Sequence, residues 1–281
     1  MRKLILYIFL ILFTWTFLSH CIILRNRWSD KKAYRIFAAK KVPLHLYDTI
    51  IRNRHLHYAV SGSDSLPTLV FAHGSPGSWM NYMQFMWDTA LQKKFRIVAI
   101  DRPGFGYSDF GEALHLQEQC NIILPVLQSL KNKQPMFLCG HSMGGPVAIQ
   151  LAASDPGLFE TVVIASGSVD VNQEKKELWR KIMGIKPLYW ILPGAFAPSN
   201  TEILYLKKDL VPLQQEFKKI TCKVHFIHGN KDTWVPIQNI AYASSMLIHA
   251  KTITADTIFG GGHLIPWDNK KEFTEMLLRL Y

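Results

Sequence analysis

One short stretch constrains this chain more than any other. The apolar run Met136–Cys139 passes directly into Gly140-His141-Ser142-Met143-Gly144-Gly145, and a helical pattern follows. A strand that must turn into a helix within a few residues forces unusual backbone angles at the turn. Small residues two before and two after the apex relieve the crowding and leave the serine hydroxyl exposed. The following helix points its N-terminus at that hydroxyl, which favours developing negative charge. An ordinary serine in a Gly-rich turn would not need this strand–turn–helix setting.

Around this turn the chain alternates short β-branched runs with helical patterns. Ile50–Val60 reads as one or two strands, closed by the turn Ser61-Gly62-Ser63-Asp64. Thr68–Ala72 ends in His73-Gly74, and Arg96–Ile100 ends in Asp101-Arg102-Pro103-Gly104. Thr161–Ala165, Lys223–Ile227 and Lys251–Thr254 complete the set. Apolar strands that stop in Gly-rich turns, with helices between them, predict a parallel sheet with crossover connections. Ligand sites in such sheets lie off the carboxyl ends of the strands, so the turns after residues 72, 139 and 227 share one edge. Residues 171–221 break the rhythm: they hold no convincing strand, and Trp179, Tyr189, Trp190, Phe196 and Tyr205 cluster there. They predict a helical insertion.

A serine hydroxyl is a poor nucleophile until a base takes its proton, and that base works best with its tautomer fixed by a carboxylate. His263, preceded by Gly260-Gly261-Gly262, is the candidate base. Asp232, at the end of His228-Gly229-Asn230-Lys231, is the candidate acid, with Asp170 as the second choice. Two convergent backbone N–H groups would be needed to hold a developing oxyanion. Met143 can supply one, and Ser75, in His73-Gly74-Ser75-Pro76-Gly77, the other. His55 and His57 share a strand face but have no further metal ligands beside them; His225 and His228 do not share a face. No phosphate loop or dinucleotide fingerprint occurs, so neither metal nor cofactor is expected.

Taken in order, these motifs, together with Asp101-Arg102-Pro103-Gly104-Phe105-Gly106-Tyr107-Ser108 and Gly262-His263, resemble the α/β-hydrolase fold across roughly residues 48–281. The resemblance implies an α/β chain with a mostly parallel eight-stranded sheet, helices on both faces and a small helical cap at 171–221. It implies Ser142 as nucleophile, His263 as base, Asp232 as its partner, and the Ser75 and Met143 N–H groups as oxyanion hole. Asp101 and Arg102 take a scaffold role. Serine at position 142 sets the chain apart from the haloalkane-dehalogenase and epoxide-hydrolase branches, which place a carboxylate there. The elbow resembles that of monoacylglycerol lipases and related esterases, implying a carboxylic ester hydrolase with a small-molecule acyl substrate, apolar or lipid-like. Fold and triad do not fix the substrate, so amidase, peptidase, C–C hydrolase, perhydrolase and acyltransferase chemistry stay open, as does a non-catalytic binding module.

Charge divides the chain further. Lys and Arg number 32 against 21 Asp and Glu, but residues 1–41 alone carry +8, residues 171–221 carry +4, and the rest of the body is near neutral. A near-neutral body is no broad phosphate-binding surface, which excludes a general nucleic-acid role. Four scattered cysteines make no disulfide framework. Leu4–Leu24 is free of formal charge and is long enough, at about 1.5 Å per helical residue, to span a bilayer core of about 30 Å. The expected organisation is a membrane anchor over 1–24, a basic juxtamembrane linker over 25–47 and the hydrolase domain over 48–281. Counting Lys and Arg on the two flanks of the anchor places the catalytic body on the cytoplasmic side.

Overall fold

The computed structural model describes residues 2–19, 27–174 and 177–281. Eight strands form one sheet: β1 (His45–Ile51), β2 (Arg54–Ser61), β3 (Thr68–Ala72), β4 (Arg96–Ile100), β5 (Met136–His141), β6 (Thr161–Ala165), β7 (Lys223–Gly229) and β8 (Thr252–Ile258). The helices are α1 (Arg2–Ser19), α2 (Asp30–Ala39), α3 (Met83–Met86), α4 (Thr89–Lys94), α5 (Leu116–Ser129), α6 (Gly144–Ser154), α7 (Leu178–Met183), α8 (Phe196–Glu216), α9 (Gln238–Met246), α10 (Ile265–Asp268) and α11 (Lys270–Leu278). The strand order is β1-β2-β4-β3-β5-β6-β7-β8. β2 runs antiparallel to both neighbours, and the pairs from β4 to β8 are parallel.

The segment read as one or two strands is a hairpin. Arg52 and Asn53 both take positive φ (52° and 61°), the two-residue turn whose twist matches that of the flanking strands. The central strands are buried on both faces, so alternate residues feed two cores. Val70, Val98, Leu138, Val162 and Val224 pack with α5, α6 and α8. Leu69, Phe71, Ile97, Phe137, Val163 and Ile227 pack with α2, Trp79, Tyr82, Phe85 and α11. Helix α6 is buried along its length from Gly144 to Ala153, which is why its sequence is apolar all round.

Two N-terminal expectations change. The stretch read as a linker, 25–47, holds α2 and the start of β1. Ala33 and Phe37, one helical turn apart, face inward, and the Phe37 ring meets the Trp87 ring edge-on at 5.3 Å. The lysines that suggested a basic linker lie on the outer face of this helix. The anchor is also corrected: among the described residues no helix is long and apolar enough to cross a membrane. Helix α1 has 18 residues, a rise of about 27 Å, and its first turn is spent on Arg2 and Lys3. Residues 20–24 of the expected span lie outside the described residues. The placement of a membrane-held body on the cytoplasmic side falls with the anchor. Instead, Trp15 of α1 donates its ring N–H to the Ile191 carbonyl (3.1 Å), resting the helix on the insertion.

Between β6 and β7 the described residues contain no strand. They form α7, a 3₁₀ turn over Leu188–Ile191, α8 and a further 3₁₀ turn over Phe217–Lys219.

Candidate active site

The site begins at the β5–α6 turn. Ser142 has φ 54°, in the left-handed region that residues with a side chain rarely adopt. Gly140 and Gly144 make the turn possible: a Cβ on Gly140 would collide with the Gly144 carbonyl, and one on Gly144 with the Ala72 carbonyl. The Ser142 N–H donates to Ala165 O (3.0 Å), fixing the apex to the neighbouring strand.

The structure brings Ser142, His263 and Asp232 together. His263 Nε2 lies 2.9 Å from Ser142 Oγ, and His263 Nδ1 lies 2.8 Å from Asp232 Oδ2. A carboxylate only accepts, so Nδ1 carries a proton and the ring turns Nε2 toward the serine hydroxyl. Asp232 is itself over-determined. Its Oδ1 accepts the N–H groups of Trp234 and Val235 at 2.9 Å each. His228 Nε2 stands 3.5 Å from Oδ2 while donating to Val235 O at 2.9 Å. Burial alone would raise the Asp232 carboxyl; the hydrogen bonds from His228, His263 and Val235 outweigh it and hold the group well below the usual carboxylate range. Asp170, the second candidate acid, is turned to other work: it accepts the Asn172 N–H at 2.8 Å, and its own N–H donates to Asn239 Oδ1.

Ser75 lines the same pocket as Ser142. A Cβ on the preceding Gly74 would meet Ser142 Cβ at 3.1 Å, so the 73–77 loop packs tightly against the elbow. Met143, immediately after Ser142, has helical angles and caps the N-terminus of α6. A pocket of about 300 Å³ opens at Ser142, lined by Ser75, Pro76, Asn81, His141, Trp234, His263, Leu264 and Trp267 among others. No described residue of the 171–221 insertion is among its lining residues, so the aromatic cluster there does not wall this pocket.

Four residues around the site are given no site role by the sequence reading. His141 is buried, donates from Nε2 to His263 O (2.9 Å) and meets the Trp267 ring edge-on at 5.0 Å. Burial first, and the nearby His263 second, push its pKa down to about 3, so it is neutral. His228 stands four residues before Asp232, the one spacing signal that could have found it. Trp234 lies with its ring 4.9 Å from that of His263 yet remains 69% exposed. Trp267 donates its ring N–H to Asn81 O (2.8 Å), closing the pocket across two distant segments.

The described geometry has counterparts in known proteins. A family model described as alpha/beta hydrolase fold matches residues 67–190, which carry the 73–77 loop, the Asp101–Ser108 loop and the elbow. Over that stretch the chain is similar to the α/β-hydrolase superfamily. Human monoglyceride lipase is 33% identical over 124 residues, 42% of this chain and 40% of that protein. The 3-oxoadipate enol-lactonase 1 of Acinetobacter baylyi is 27% identical over 132 residues, 45% of this chain and 47% of that protein. The chain thus spans less than half the length of these curated relatives. Among solved structures, the 2-hydroxy-6-oxo-6-phenylhexa-2,4-dienoate hydrolase of Rhodococcus sp. strain RHA1 superposes with TM-score 0.68 at 19% identity, covering 85% of this chain and 99% of that one. This similarity covers the fold; the chemistry is argued from the site.

Proposed function

We propose that this α/β-hydrolase is a serine hydrolase that cleaves carboxylic esters through an acyl-enzyme. The observation that carries the reading is His263, which bridges Ser142 Oγ at 2.9 Å and Asp232 Oδ2 at 2.8 Å. Ser142 Oγ attacks the acyl carbon while His263 Nε2 takes its proton. Asp232 keeps the ring in the productive tautomer and stabilises the imidazolium that forms. The Ser75 and Met143 N–H groups receive the oxyanion; one such donor is worth about 2.7–4 kcal/mol in the transition state. His263 then gives the proton to the leaving alcohol, and water, activated by the same ring, releases the acid.

The pocket walls favour an apolar group. Trp234, Trp267, Leu264 and Pro76 stand around Ser142, and most of the exposed wall is apolar. Together with the similarity to monoglyceride lipase, they support an ester with an apolar, lipid-like acyl part as the small-molecule substrate.

A fluorophosphonate probe tests the chemistry. Wild type should be labelled at Ser142 and should hydrolyse p-nitrophenyl esters, and Ser142→Ala should do neither. Absence of labelling in wild type, or equal labelling of Ser142→Ala, sinks the reading. A p-nitrophenyl series of rising acyl length, run beside the matching anilides, separates ester from amide chemistry.

A further inference from the structure

Arg102 is completely buried and is far from the chemistry in sequence, yet every one of its five N–H donors is spoken for. Nε donates to His73 O at 2.7 Å. Nη1 donates to Gln119 Oε1 at 2.8 Å and to Glu202 Oε1. Nη2 donates to Gly74 O and to Glu202 Oε2, each at 3.0 Å. Glu202 lies on α8, in the insertion, and is 2% exposed. Gln119 donates to the same carboxylate at 2.8 Å, so Glu202 is held from two sides.

The two carbonyls gripped by Arg102 are those of His73 and Gly74, the residues that lead into Ser75. A peptide unit is planar, with its C=O and the following N–H pointing opposite ways. Holding the Gly74 carbonyl therefore fixes the direction of the Ser75 N–H on the other side of the same plane. The grip is doubled from below, because His73 Nδ1 also donates to Gly74 O, at 2.6 Å. His73 Nε2 in turn accepts the Arg102 N–H at 3.0 Å. Burial, and then the Arg102 charge, keep His73 neutral, as this donor–acceptor pattern requires.

We propose that Glu202 is a positioning residue for the oxyanion hole: from the insertion, through Arg102, it sets the Gly74–Ser75 peptide whose N–H faces the reacting carbonyl. Arg102 cannot hold two loop carbonyls at fixed places unless its remaining donors are anchored, and Glu202 anchors two of the three that remain. A buried guanidinium that loses its carboxylate must move to find another acceptor, and the nearest free to yield is the loop. The insertion thus contributes to catalysis without lining the pocket. The catalytic part of this inference rests on the ester-hydrolase reading above.

The test uses the full-length protein in four forms: wild type, Glu202→Gln, Glu202→Asp and Leu210→Ala. Leu210 is a buried residue of the same helix that packs in the core beside α6, so its truncation loosens α8 without removing the Arg102 partner. Hydrogen–deuterium exchange of the peptide covering residues 73–80 reads the loop directly, with no need for activity. Glu202→Gln should speed exchange there, and Leu210→Ala should not. With p-nitrophenyl butyrate, Glu202→Gln should lose about tenfold or more in kcat with KM within about twofold, since a displaced donor is missed mainly in the transition state. Affinity for phenylboronic acid, which mimics the tetrahedral adduct at Ser142, should fall by the same factor as kcat. Glu202→Asp, which keeps the charge on a shorter stem, should sit between Gln and wild type, and it serves if Glu202→Gln fails to fold. Unchanged exchange and unchanged kcat in both Glu202 variants, or losses matched in Leu210→Ala, overturn the proposal. A wild type that labels no serine and hydrolyses no ester would refute the enzymatic reading alone, and the exchange data would still decide the coupling.

Discussion

The insertion between β6 and β7 is made of two halves that meet the body on different terms. In residues 177–195, neither α7 nor the 3₁₀ turn at Leu188–Ile191 has a single buried residue. Leu178, Trp179, Ile182, Ile185 and Trp190 are all exposed there. In α8, by contrast, Leu206, Leu210 and Leu213 enter the core beside α6, and two acids two helical turns apart reach the body. Glu202 meets Arg102 and Gln119; Asp209 meets the His115 ring (2.7 Å) and the Leu116 N–H (3.0 Å) at the start of α5. The His115 ring also stacks on Tyr205 at 4.0 Å. The halves touch through few polar links, among them Asn200 Nδ2 donating to Arg180 O at 3.0 Å. Hydrophobic residues alone do not distinguish them, since both halves are rich in these. What separates them is whether charged groups have partners in the body that fix the register of the helix.

Four substitutions would break or sharpen this contrast. The largest effect belongs to Glu202→Ala, which strands a buried guanidinium and should cost about 3–5 kcal/mol in urea unfolding. Leu210→Ala should follow at about 2–5 kcal/mol, depending on how far α8 collapses onto the gap. Asp209→Ala removes the acceptor that caps α5 and should cost about 1 kcal/mol, with the loss expressed in the thermal midpoint. Ile185→Ser in the outer half should stay within about 0.5 kcal/mol of wild type. A cost for Ile185→Ser as large as for Leu210→Ala would erase the distinction. Limited trypsin digestion offers an independent reading: cleavage after Arg180 or Lys181 should precede any cut after Lys207 or Lys208.

The same contrast explains what could be read from the sequence. The sheet announced itself because buried parallel strands are short β-branched runs ended by turn residues, and β3, β4 and β6 fall on the runs so identified. Ser142, Asp232 and His263 could be named because each sits in a local motif whose glycines mark a special backbone. Glu202 could not, since it is one acid in a stretch dominated by aromatic and basic residues, and its partner lies 100 residues earlier. α2 was hidden for a related reason: two inward residues, Ala33 and Phe37, among lysines and arginines look like a charged linker until the helix is built. The N-terminal span differs because the described helix spends its first turn on Arg2 and Lys3, and no described helix is long and apolar enough to cross a membrane. α1 is described only to Ser19.

His141 carries a consequence for acid tolerance. It is locked neutral beneath the elbow, with a pKa near 3 against an ordinary value of 6.5. An unfolded chain takes up that proton readily as the pH drops below 6.5, and the folded chain does not. Stability from this residue is therefore complete above about pH 6.5 and drains away on acidification towards pH 3. The neighbouring His73, also depressed by burial, adds in the same direction. Denaturant titrations at pH 7.5 and pH 5 should show a weaker fold at the lower value, and His141→Asn should flatten that slope by about one proton's worth. An equal slope in wild type and variant would separate the elbow from the response. The turn that carries Ser142 is then also a proton gauge, and its buried histidine helps set the lower edge of the pH range in which the fold is stable.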